Sequence, residues 1–75
     1  MITKEQSRAA RGLLDWSQTQ LAAKAGLGES TIRSFENGPR SLHPSSLVAI
    51  KSTFDAAGVV FIEAIGGETG VRLRD

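Results

Sequence analysis

Glu29, Ser30, Arg33, Ser34 and Asn37 sit within nine residues of one another, at spacings that fall on one flank of a helix. The opposite flank carries Ile32 and Phe35. A carboxylate, two hydroxyls, a guanidinium and a carboxamide can donate and accept hydrogen bonds and can pair with charge. They do not form a nucleophile, a base and an orienting group. The rest of the chain adds no reactive centre. Cysteine is absent, so there is no thiolate and no disulfide. One histidine, His43, would leave a zinc site dependent on carboxylates. Gly66-Gly67-Glu68-Thr69-Gly70 is glycine-rich but lacks the phosphate-binding lysine of a P-loop and lies between strand signals, so it reads as a turn. The expectation is a binding protein, not an enzyme, with no cofactor and no metal.

Those polar residues need a rigid support, and helix signals surround them. Thr3 and Gln6 have the capping-box spacing, and Ala9, Ala10, Leu13 and Leu14 follow at helical intervals, predicting a first helix that ends near Leu14 or Asp15. Ser17 and Gln20 form a second box. Trp16 and Leu21 flank it as a hydrophobic staple, predicting a second helix over 18–25 with Leu21, Ala22 and Ala25 inward. Gly26 then takes the left-handed cap position. After Gly26-Leu27-Gly28, a third helix runs from Glu29 to Asn37. Asn37-Gly38-Pro39 stops it, with Gly38 expected in the left-handed conformation. Two short helices joined by a glycine-containing turn make a helix-turn-helix. Pro44 opens a fourth helix to Ala57, with Leu47, Ile50, Phe54 and Ala57 at steps of three and four and Gly58 as its cap. His43 is expected to cap that helix or lie in solvent.

Beyond Gly58 the period changes to that of strands. Residues 59–65 are apolar and β-branched, the glycine-rich turn follows, and Val71-Arg72-Leu73-Arg74 alternates apolar with basic, so a β-hairpin is predicted. The chain of 75 residues fits one domain, with 1–58 as the helical unit (helix-turn-helix at about 18–37) and 59–75 as a tail, not a separate domain. A lone hairpin is marginal in water. Val60, Phe61 and Ile62 are therefore expected to pack on the helices or to join a second copy, and Arg72 and Arg74 to be solvated. Trp16, Ile32, Phe35, Phe54 and Phe61 are core or interface residues. The net charge of +1 does not by itself announce nucleic acid. The first sixteen residues lack the apolar stretch of a secretory signal, and the longest apolar run is far too short to span a bilayer. A cytoplasmic protein without membrane contact is expected.

Ser17-Gln18-x-x-Leu21-Ala22-x-x-Ala25-Gly26-Leu27, followed by Ser30-Thr31-Ile32-x-x-Phe35-Glu36-Asn37-Gly38, resembles the lambda-repressor/Cro-like (XRE) helix-turn-helix family over roughly residues 5–58. The tail, from Gly58-Val59-x-Phe61-Ile62-Glu63 through Gly70-Val71-Arg72-Leu73-Arg74, is similar to the ending of short bacterial members. The resemblance implies a mainly α fold: a four-helix lambda-repressor-like DNA-binding domain with a short C-terminal β-hairpin. It places Glu29, Ser30 and Ser34 toward base edges, with Arg33 long enough to reach a guanine. Gln18, Asn37 and Arg40 would contact phosphates, and Arg11 would pair with Glu36. Three departures stand out. Gly28 replaces the usual Ser or Thr that opens the third helix. Glu29 replaces a neutral or basic reader, and a carboxylate suits DNA only where it accepts from the amine of cytosine or adenine. Val60 stands where related tails tend to be charged.

The function so implied is a sequence-specific double-stranded DNA-binding transcriptional regulator, a repressor acting with the nucleoid. Its third helix would lie in the major groove, and a homodimer would bind an inverted repeat through the hairpin tail. Two alternatives stay open: an antitoxin-like repressor with a toxin partner, and a protein-interaction module on the same fold that does not bind DNA. Low net charge and the acidic Glu29 favour the latter.

Overall fold

Four helices precede a two-stranded sheet: α1 Lys4–Leu14, α2 Gln18–Ala25, α3 Glu29–Asn37, α4 Pro44–Ala56, then β1 Val59–Glu63 and β2 Thr69–Leu73. The computed structural model describes residues 2–38, 41–63 and 69–74. Pro39, Arg40 and residues 66–68 of the glycine-rich stretch lie outside the described residues.

Both capping boxes are present. Thr3 Oγ1 accepts from the Gln6 amide at 3.1 Å, and Gln6 Oε1 accepts in return from the Thr3 amide at 3.0 Å. Ser17 and Gln20 repeat the exchange at 3.0 and 2.8 Å. Each such cap is worth about 1 kcal/mol to a short helix. α1 ends on Asp15 at φ 57°, a left-handed conformation that a short polar side chain tolerates, and α2 on Gly26 at φ 72°. Gly28 caps α3 without a side-chain bond, and His43 caps α4 likewise. Two expectations change. Gly38 is extended, at φ −116° and ψ 179°, not left-handed. The residue before a proline is driven to extended backbone, and Pro39 follows it. α4 stops at Ala56, one residue early, so Gly58 at φ 92° makes the turn into β1 after the cap residue Ala57.

Leu21, Ile32, Ile50, Phe54 and Val59 are fully buried and bring α2, α3, α4 and β1 to one centre. Ala10, Ala22, Phe35 and Ile2 complete the core. Full burial of each large side chain contributes about 1.5–3 kcal/mol. Trp16 stacks on Phe54 at 5.8 Å between ring centres, and Phe61 meets the same ring edge-on at 6.0 Å. α1 departs from its expected face. Ala9 and Leu13 are exposed, whereas Gln6, Ser7 and Ala10 are buried. Its inward stripe is therefore largely polar.

The strands pair antiparallel, with Val59 opposite Leu73, Phe61 opposite Val71 and Ile62 opposite Gly70. Val59, Phe61 and Val71 pack on the helical core. Strand alternation turns Val60, Ile62 and Arg72 to the other face. The hairpin is bound to the helices by polar contacts as well. The buried Gln6 donates from Nε2 to the Gly70 carbonyl at 3.2 Å, and the Arg74 side chain donates to the Asp55 carbonyl at 3.4 Å.

Candidate functional site

α2 and α3 are joined by three residues, and both bury one side against α4 and α1. On α3 that side is Ile32, Phe35 and Glu36. The opposite flank leaves Glu29, Ser30, Arg33 and Asn37 exposed and Ser34 half-buried. The five residues singled out by type and spacing thus share one face. Ser30, Thr31 and Ser34 border a shallow hollow with Leu42, from the segment after α3. Leu42 had no signal in the sequence, because a single leucine between helices carries no period. Glu29 and Arg33 are not independent. Oε1 of Glu29 accepts from a terminal nitrogen of Arg33 at 2.7 Å, one helical turn apart, with both side chains about half exposed.

Behind this face stands a buried carboxylate. Glu36 has no exposed surface. Arg11 forks onto it, with Nε at 3.0 Å from both oxygens and a terminal nitrogen at 2.7 Å from Oε1. Ser7 Oγ donates to Oε2 at 2.5 Å, a length typical of a hydroxyl bonded to an anion. Gln18 Nε2 donates to Oε1 at 3.2 Å. Burial pushes the Glu36 carboxyl up. The bonds from Arg11, Ser7 and Gln18, with the charge of Arg11, outweigh burial and hold it below the usual carboxylate range. Gln18, at the first turn of α2, is thereby tied to the last turn of α3. Its amide nitrogen carries two hydrogens, and one remains for another acceptor.

The three cations of α1 converge on the end of α3. Arg11 holds the Glu36 side chain, Arg8 donates to the Glu36 carbonyl, and Lys4 Nζ donates to the Gly38 carbonyl at 3.4 Å. α3 has no basic residue in its own last turn. Cations from α1 therefore serve its unpaired carbonyls and the negative end of its dipole, each for about 0.3–1 kcal/mol. Ser7 and Arg8 were missed by the sequence analysis; no motif marks a serine on a helix as a carboxylate donor.

Val60, Phe61 and Ile62 lie on the hairpin. Phe61 is turned to the chain's own core, and Ile62 is among the exposed large apolar residues. Arg40 lies outside the described residues. Among the described residues no group of His, Cys, Asp and Glu is placed to hold a metal, and no helix is long and apolar enough to cross a membrane.

The model of a helix-turn-helix family matches residues 8–56. The match begins inside α1, ends with α4, and takes in Gln18 and the whole exposed flank of α3. No curated protein matches the chain.

Proposed function

The chain belongs to the XRE-type helix-turn-helix family of DNA-binding regulators, and from that premise we propose that it is a sequence-specific repressor that lays α3 in the major groove of duplex DNA. The observation that carries the reading is the two-sidedness of α3: Ile32 and Phe35 are committed to the core, and the polar flank is left open to a ligand. Glu29, Ser30, Arg33 and Ser34 are the side chains that would meet base edges. Asn37, Arg40 and Gln18 would bond the flanking phosphates and fix the register. Gln18 suits that role because Glu36 holds its carboxamide while leaving a second N–H free. The assembly would be a homodimer on an inverted repeat, joined through the tail, with half-sites about one helical turn, ~34 Å, apart.

Selection of bound duplexes from a random pool tests this directly. Ser34→Ala should relax preference at one position of the selected site. Gln18→Ala should weaken all duplexes alike, and the salt slope should fall by about 0.9 for the phosphate lost. Failure of the protein to be retained on any duplex at low salt would favour the interaction-module reading, in which the same face binds a protein.

A further inference from the structure

The ion pair on the exposed flank of α3 concerns how the chain separates its target from other DNA, and it rests on the DNA-binding reading above. We propose that Glu29 is a positioning residue that aims Arg33 at a guanine, and that it also cancels the charge with which Arg33 would otherwise hold DNA of any sequence.

Three observations lead there. First, Glu29 and Arg33 are one turn apart and bonded at 2.7 Å through a single guanidinium nitrogen. The two remaining nitrogens of the guanidinium form a fork, the shape that matches O6 and N7 of guanine in the major groove. Tethering one corner removes rotamer freedom from a long, flexible side chain before DNA arrives. Second, Glu29 sits in the first turn of α3, where its charge suits the helix dipole, so the anchor is itself placed by the helix. Third, cations elsewhere in the described helices are engaged. Lys4, Arg8 and Arg11 serve the end of α3, Lys24 lies over the Trp16 ring at 5.0 Å, and Lys51 pairs with Asp55 at 3.0 Å. Arg33 is thus the cation of the described helices that projects from the exposed flank of α3, and a carboxylate neutralises it.

A neutral pair releases few counterions on meeting phosphates, so it adds little to sequence-independent affinity. It gains on DNA only where the fork finds a guanine. At other bases Glu29 brings a carboxylate toward a polyanion with no compensating contact. Discrimination by unfavourable encounters with wrong sites is as effective as added attraction to the right one.

The test compares the intact chain with Glu29→Gln, Arg33→Ala and the double variant on two probes: the duplex selected from a random pool, and the unselected pool. Affinity is measured across a salt series. Glu29→Gln should tighten binding to the unselected pool and steepen the salt slope by up to about 0.9, as one phosphate contact is gained. It should also lower preference for guanine at one position by about five-fold or more, the lower range of a bidentate base contact. In the Arg33→Ala background the same change should do neither. Weaker binding to both probes with an unchanged slope, persisting without Arg33, would show that Glu29 only supports the helix and would overturn the proposal. So would a wild-type chain that binds duplexes while Glu29→Gln leaves slope and preference unaltered, a result that leaves DNA binding standing. Absence of wild-type binding to either probe overturns both readings.

Discussion

Glu36 shows how a single side chain can dictate the composition of a helix two elements away. A carboxylate without solvent exposure must be met by donors. The face of α1 that lies over it accordingly carries Ser7 and Arg11, with Ala10 between them. Hydrophobic periodicity counts apolar residues alone, so it assigned Ala9 and Leu13 inward when both are exposed. The Arg11–Glu36 pairing came only through family resemblance, and the part of Ser7 had no signal at all. Glu36→Gln should strand the Arg11 guanidinium and destabilise the fold by about 3 kcal/mol, the lower range for breaking a buried pair. Urea denaturation would measure it, and a loss under about 1 kcal/mol would mean that the pair is solvated in practice. The effect depends on pH in a defined direction. Folding lowers the Glu36 pKa, so its stabilisation is complete above the unfolded value, about 4.3, and is lost as pH falls through the lower folded value. Wild-type melting temperature should therefore drop more on acidification than that of Glu36→Gln, and the two curves should converge at low pH. Parallel curves would contradict the assigned shift.

At the scale of elements, the starts of helices were more legible than their ends or faces. The boxes at Thr3 and Ser17 are local, three residues long, and fixed by side chains that reach their own backbone. Ends answer to what comes next, which is why Gly38 is extended ahead of Pro39 instead of left-handed. The polar flank of α3 was legible because Ile32 and Phe35 alone set its orientation. The inward polar stripe of α1 was not, because its cause lies on α3. Not every glycine is required where it stands. Gly12 lies exposed within α1, and a Cβ there would meet nothing within 4 Å. Gly12→Ala should raise stability by about 0.5–1 kcal/mol, chiefly by restricting the unfolded chain. An upward shift of the denaturant midpoint with an unchanged slope would confirm it. No shift would imply that the end of α1 frays in solution.

For the molecule as a whole, the hairpin decides whether one module or two meet the ligand. One face of the hairpin belongs to the domain: Val59 is fully buried and Phe61 lies on Phe54. The other carries Val60 and Ile62, and Ile62 faces Gly70 across the ladder, so no partner side chain covers it. The sequence marked all three of Val60, Phe61 and Ile62 for a second copy, because a run of apolar residues does not show which of its two faces the helices will take. The division gives the proposed dimer a sharp test. Ile62→Glu would place like charges close to each other across a two-fold axis while leaving the domain's own core intact. It should yield a monomer whose melting temperature does not vary with concentration, whereas wild-type melting should rise with concentration as dimers are drawn in. Binding to an inverted repeat should fall steeply, and binding to an isolated half-site should be unchanged. Phe61→Ala should behave differently, lowering stability at every concentration because it opens a cavity beside Phe54. Sedimentation of both variants beside the wild type separates the two effects. A wild-type chain that sediments as a monomer at the concentrations where it occupies an inverted repeat would assign the outer face of the hairpin to something other than self-association.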